Sequence, residues 1–340
     1  MKLIPTTEAV GHVLCHDLTQ IIPGVIKDAR FRKGHIVQKE DIPVLLSMGK
    51  EHLYVWENDG SKYHEDEAAE ILYSLCANEH ITRSKETKEG KVELFAGCDG
   101  LFRVDVERVC RLNSLGEMMI ATRQNNFPVH AGDKLAGTRV IPLVIEKTKM
   151  ETAKEAVGSE PLLKLIPYVH KKVGIITTGE EVKKGIIQDA FGPAVRKKLA
   201  EFDTEILGQI FPGDNKEAIC QAIQDFLAQG ADFIVCTGGM SVDPDDNTPG
   251  AIRMSGAHIV SYGAPVLPGA MFLMAYAESG VPIVGLPGCV MYAKRTIFDL
   301  VLPYIMADEP VKPEDLSRLG VGGLCLGCDV CVFPNCGFGR

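Results

Sequence analysis

Between residues 162 and 304 the chain alternates short, continuously apolar runs with amphipathic stretches, and this alternation narrows the fold more than any other feature. VGIIT at 173–177, DFIVC at 232–236 and PIVGL at 282–286 read as strands buried on both faces, and EILGQIF at 205–211 as a fourth. The intervening 190–202 and 215–229 read as helices. In the second of these, Ile219, Ala222, Ile223 and Phe226 fall on one face. Thr248–Pro249 opens another helix, with a capping residue followed by proline at the first position, and 289–304 closes the series. Strands that are apolar on both sides need helices on both faces. The expectation is therefore an α/β, three-layer, parallel-sheet domain over 160–308.

What precedes it looks smaller and richer in strand. Residues 1–60 read as a small α+β unit, with a short helix from Asp41 and a strand at 52–56. Residues 61–155 read as a β-rich domain carrying one amphipathic helix at 64–78, where Ala68, Ile71, Leu72, Leu75 and Cys76 share a face. Residues 92–148 read as short strands separated by glycine turns, and the charged, small-residue stretch 149–160 as a linker. From 309 to 340 periodicity disappears.

The net charge of −9 argues against sequence-independent nucleic-acid binding, which needs clustered Lys and Arg to displace phosphate counterions. No run approaches the ~20 apolar residues of a membrane span, and the N-terminal residues lack the apolar core of a signal peptide. The expectation is a cytoplasmic protein with no membrane or nucleic-acid partner.

In an open parallel sheet, ligands bind at the carboxyl ends of the strands. Three segments sit there: Thr177-Thr178-Gly179-Glu180; Thr237-Gly238-Gly239 running on through Ser241, Asp243, Asp245 and Asp246 to Thr248; and Pro287-Gly288-Cys289. Paired glycines present bare N–H groups to an anion, and the threonine and serine hydroxyls add donors. Asp245 and Asp246 are candidate Mg²⁺ ligands, because that ion favours one or two carboxylates together with substrate phosphate oxygens. The helix opened at Thr248 turns its N-terminus toward the same loop.

These three loops, in order and spacing, resemble the molybdopterin-binding domain shared by molybdenum insertases and molybdopterin adenylyltransferases. The likeness covers about 145 of the 340 residues. Within TGGMSVDPDDNTPGAI at 237–252, Ser241 and Val242 match the insertase pattern, whereas Pro244, Asp246, Thr248 and Pro249 match the adenylyltransferase pattern. Gly185 and Asp189 match the first loop, and VLPG at 266–269, containing Pro268 and Gly269, matches a further family segment. The resemblance implies a catalytic and Mg²⁺-binding role for Asp246. It implies molybdopterin or adenylylated molybdopterin as ligand, molybdate as co-substrate, and a homo-oligomer. The departures are specific. Ala270 stands where insertases have the lysine of P-G-K-P, Asp245 replaces the adenylyltransferase arginine, Gly250 replaces its glutamate, and Cys289 replaces the asparagine of L-P-G-N. Each removes a polar contact, worth ~1–3 kcal/mol where a buried partner is left unmatched.

Four of the eleven cysteines crowd the last 16 residues as Cys325-x2-Cys328-x2-Cys331-x4-Cys336. The spacing is close to ferredoxin-type iron–sulfur runs, and a tetrahedral Zn²⁺ suits the same ligands. Of the other candidates, Arg253, Lys294 and Arg295 could contact phosphate or lie on helix surfaces. Two functions follow from the resemblance. One is insertase-like handling of molybdopterin in molybdenum cofactor biosynthesis, by a molybdenum transferase. The other is a non-catalytic carrier or sensor of the cofactor for a molybdoenzyme.

Overall fold

A computed structural model describes residues 2–22, 26–55, 60–76, 78–241, 243 and 246–339. The chain divides into two compact units. The first comprises Met1–Gly97, Arg103–Asn125 and Ala131–Lys164. The second comprises Cys98–Phe102, Asn126–His130 and Leu165–Arg340.

The first unit begins with Lys2–Pro5 paired antiparallel to His52–Val55, beside a hairpin of Leu18–Ile22 and Ile26–Phe31 and the helix Asp41–Ser47. Residue 56 of the expected strand lies outside the described residues. A four-stranded antiparallel sheet follows, in the order 81–83, 91–96, 134–140, 118–122. The helix Glu65–Cys76 packs against it by Ala68, Ala69, Leu72 and Cys76. Two expectations fail here. Val106–Asn113 is a helix inside the stretch read as strands; Asp105 caps it by accepting the Arg108 amide at 3.0 Å. The stretch read as a linker contains the helix Lys147–Val157, which buries Met150, Ala153 and Val157 at i, i+3 and i+7. Three apolar residues, one of them alanine, were too weak a stripe to outweigh the charges around them.

The second unit carries the α/β sheet. Its strands are β1 (Lys171–Thr177), β2 (Thr204–Ile210), β3 (Phe233–Thr237), β4 (His258–Tyr262), β5 (Leu273–Tyr276) and β6 (Pro282–Leu286), in the spatial order β2-β1-β3-β6-β5-β4. Its helices are α1 (Glu180–Lys183), α2 (Phe191–Leu199), α3 (Lys216–Ala228), α4 (Thr248–Met254), α5 (Ile297–Met306) and α6 (Pro313–Arg318). β2, β1, β3 and β6 are parallel, as expected, while β5 runs antiparallel to both β6 and β4. The sheet is thus mixed, with the antiparallel pair at one side. Alternate strand residues feed two cores. Val173, Ile175, Phe233, Val235 and Val284 join α2 and α5 on one face. Ile176, Ile234, Cys236 and Ile283 join α3 and α4 on the other. This gives the three expected layers.

The closing helix is shorter than its reading. Gly288–Met291 is a single 3₁₀ turn, and α5 restarts only at Ile297, where Thr296 and Asp299 form a capping box. A short helix, α6, also breaks the region that had seemed aperiodic. Among the described residues no helix is long and apolar enough to cross a membrane.

Candidate functional site

The chain leaves β1 toward β2 on one side and later returns to β3 on the other. The carboxyl ends of β1 and β3 therefore flank a topological switch point, where open α/β sheets place their ligands. Thr177 and Thr237 are register partners across this point, and Thr237 and Leu286 across the next. The three loops singled out from sequence thus emerge side by side at one edge.

The threonines bond to neighbouring loops. Thr177, Thr178, Thr237 and Thr248 are all buried. Thr237 Oγ1 donates to Ile176 O at 3.3 Å and to Thr177 Oγ1 at 3.1 Å, and Thr177 Oγ1 also accepts the Gln209 amide at 2.9 Å. Thr248 Oγ1 donates to Gly238 O at 2.8 Å and lies 3.3 Å from Thr178 Oγ1. Their hydroxyls hold the loops together. Asp189 is spent similarly: it accepts the amides of Phe191 and Gly192 and the Gln209 side chain, fixing the start of α2.

What these contacts hold in place is bare backbone. Gly238 and Gly239 have φ of +82° and +53°. A Cβ on Gly238 would lie 2.7 Å from Thr178 O, and one on Gly239 would lie 3.0 Å from Thr248 Oγ1. Only glycine suits both the conformation and the approach. No described residue accepts a hydrogen bond from the amides of Gly238, Gly239, Met240 or Ser241. Consecutive unspent N–H groups beginning in a left-handed turn form an anion cradle. Tyr262 braces its far side, donating to Met240 O at 3.0 Å and Ser241 O at 3.2 Å. Burial, and then the Asp246 carboxylate, push the Tyr262 phenol above its ordinary pKa, so it stays a donor.

Asp246 and Asp243 lock the loop beyond. The Asp243 amide donates to Asp246 Oδ2 at 3.2 Å, and the Asp246 amide to Asp243 O at 3.0 Å. Asp245, with Val242 and Pro244, lies outside the described residues. Among the described residues no three His, Cys, Asp or Glu side chains gather to hold a metal ion. The donors at Asp246 therefore suit Mg²⁺ only with ligand phosphate and water completing its shell. The helix α4 is only seven residues long, and its Thr248 amide already donates to Gly239 O at 3.3 Å. It adds little to the anion site.

A third wall was not visible in the sequence. The Glu180 amide donates to Asp214 Oδ2 at 2.9 Å, and the Asn247 side chain donates to Asp214 O at 2.9 Å, bringing 212–216 against the mouth. Lys216 follows at once. Its Nζ would be 3.3 Å from a Cβ on Gly250, so the half-buried Lys216 side chain lies against the first turn of α4. The Glu180 side chain pairs with Lys184 at 3.1 Å, which with lesser help from Lys183 keeps its carboxyl below the usual pKa. The Gly179 backbone, at φ +122°, turns the chain into α1.

The cations expected near phosphate are engaged elsewhere. Arg295 pairs with Glu201 at 3.0 Å and Asp299 at 2.9 Å, Lys294 donates to Cys328 O and Asp329 O, and Arg253 is exposed in the last turn of α4. Pro268 and Gly269 also serve another purpose. A Cβ on Gly269 would meet Ile297 Cγ2 at 2.4 Å, and Pro268 O accepts the Ile297 amide at 3.2 Å, so the segment seats the start of α5. Ala270 is exposed. Pro287 O accepts the Val290 amide and Gly288 is open. Cys289 is half-buried, and burial raises its thiol pKa.

Residues 174–307 match the family model described as a probable molybdopterin binding domain. Residues 3–57 match a model described only as a domain of unknown function. A CinA-like protein of Mycobacterium avium is 34% identical over 93 residues, 27% of this chain and 21% of that protein. One from Mycobacterium tuberculosis is 35% identical over 80 residues, 24% of this chain and 19% of that protein. The matches thus span about a fifth of the length of these relatives. Among solved structures, the molybdopterin biosynthesis enzyme MoaB of Thermus thermophilus aligns over 42% of this chain and 99% of its own at 22% identity, with a TM-score of 0.34.

Proposed function

We propose that the switch-point crevice binds molybdopterin, or its adenylylated form, by a phosphate seated on the Gly238–Ser241 amides, and that the protein carries or senses this ligand for a molybdoenzyme. The observation that carries the reading is the run of four backbone amides without a partner among the described residues, held by a glycine turn that no side chain could replace. The family match over 174–307 supports the ligand class. Carriage is favoured over catalysis by what surrounds the cradle. Ala270 occupies the position of the insertase lysine, and Asp246 spends one carboxylate oxygen on its own loop. Such a site can hold an anion without driving a reaction on it.

Insertase-like transfer of molybdenum is the second reading, favoured by Lys216, which returns a cation to the mouth from another element. An assay with adenylylated molybdopterin and molybdate separates the two. Tight binding without product supports carriage. Product formation that disappears in Asp246→Asn supports transfer, in which Asp246 would hold Mg²⁺ against the ligand phosphate. A homo-oligomer is proposed on the resemblance and is read from the mass in solution.

A further inference from the structure

The C-terminal cysteines belong to neither reading of the crevice, yet they are not scattered. Cys325, Cys328, Cys331 and Cys336 all line one cavity of about 470 Å³, with Lys294 and Arg295 on its wall. All four are free thiols. Cys325 and Cys336 are half-buried against the core of the second unit, whereas Cys328 and Cys331 sit on the exposed loop that overhangs it.

The segment is built to hold that loop in place. The Cys325 amide donates to Leu267 O at 2.8 Å, and the Leu267 amide to Gly323 O at 2.8 Å, forming a short parallel bridge. Gly327 turns at φ +64° between the first two cysteines. Lys294 Nζ donates to Cys328 O at 3.2 Å and Asp329 O at 2.7 Å, and the Arg295 guanidinium lies 4.8 Å from the centre of the Phe333 ring. The apolar side chains of the loop nevertheless face water: Leu326 is 81% exposed and Val330 76%. The loop thus places its four thiols on one cavity while leaving these aliphatic side chains in water.

A single ion does not suit this arrangement. Tetrahedral Zn²⁺ with Zn–S near 2.3 Å draws its sulfurs to within ~3.8 Å of one another. Among the described residues no three potential ligands approach closely enough for one ion. Four thiols spaced around an open cavity instead suit a ligand that has volume of its own. We propose that Cys325, Cys328, Cys331 and Cys336 ligate a four-iron iron–sulfur cluster, with Lys294 offsetting part of its negative charge. Ligation exchanges four S–H bonds for four S–Fe bonds, releases the protons to solvent, and changes no oxidation state. The C-x2-C-x2-C spacing agrees with this cluster type.

The inference does not rest on the pterin reading, and pterin content measured on the same samples keeps the two apart. The test is iron, acid-labile sulfide and zinc analysis of the full chain purified anaerobically and reconstituted with equal amounts of ferrous and ferric iron and with sulfide. The expected result is about four irons and four sulfides per chain, with broad visible absorbance bleached by dithionite. The double variant Cys328→Ser/Cys331→Ser should lose the iron and sulfide. Both residues are exposed, so circular dichroism should show the fold retained. One zinc per chain without sulfide, no iron or sulfide after reconstitution, or a full cluster in the double variant would each overturn the proposal.

Discussion

At the residue scale, the crevice depends on Gly238. Its φ of +82° and the 2.7 Å approach of a Cβ to Thr178 O leave no room for alanine, because the obstacle is backbone. Gly238→Ala should lower stability by about 1–3 kcal/mol in urea unfolding and abolish anion binding. Lys216 gives the cleaner test of ligand contact. Lys216→Ala should weaken pterin affinity roughly tenfold, the loss of one charge-assisted contact of about 1.5 kcal/mol, with no change in Tm. Unchanged affinity would remove Lys216 from the site. Elsewhere, burial and then the neighbouring Asp66 carboxylate push the Glu65 carboxyl up to about 7. Its folded pKa lies above the unfolded value, so the associated stability is complete below about pH 4.5 and is lost as pH rises through about 7. Glu65→Gln should therefore raise Tm relative to the native chain at pH 8, by the equivalent of about 2 kcal/mol given the carboxyl's partial access to water, and leave it nearly unchanged at pH 4.5. An equal effect at both values would contradict the assignment.

At the element scale, α2 and α5 are tied by a buried charge pair. Lys198 on α2 meets Asp299 on α5 at 2.6 Å, with side chains 8% and 2% exposed. Asp299 also accepts the Thr296 amide at 2.7 Å and an Arg295 contact at 2.9 Å. Asp299→Ala would strand the Lys198 ammonium and uncap α5, costing on the order of 3–5 kcal/mol in equilibrium unfolding. A loss below 1 kcal/mol would show the pair to be solvated. This tie was not legible in the sequence, since it joins residues 101 positions apart. The strands β1, β3 and β6 were legible because each carries an unbroken apolar run, Val173–Ile176, Phe233–Cys236 and Pro282–Leu286, a pattern that two-sided burial requires. β4 and β5 were not, because β4 is exposed at His258 and Tyr262, and β5 has only four residues and follows a proline-rich turn. The strand-end loops were legible from their glycines, but the hydrogen bonds of their threonines were not. A hydroxyl that binds a ligand and one that binds the next loop look identical until the register of β1 and β3 is known.

At the scale of the whole molecule, chemistry-bearing features fall at two places in the second unit: the amide cradle between β1 and β3, and the thiol-lined cavity beside Pro268 and Lys294. The Leu267–Pro268–Gly269 segment pairs with the cysteine loop and seats α5, so ordering of the loop by a cluster would also brace the domain's core. Apo protein should accordingly unfold at lower temperature than cluster-loaded protein, by differential scanning calorimetry under anaerobic conditions, with the size of the gap set by the affinity and the free cluster concentration. Identical Tm values would separate the tail from the domain's stability.

The most direct measurement is the affinity of the anaerobically purified chain for molybdopterin, taken side by side with Gly238→Ala and Lys216→Ala. The account predicts saturable binding to the native chain, about tenfold weaker binding to Lys216→Ala, and none to a Gly238→Ala protein that circular dichroism shows to be folded. Equal binding by all three, or no binding by the native chain under any loading condition, would contradict it and send the search to a different ligand at the same strand ends.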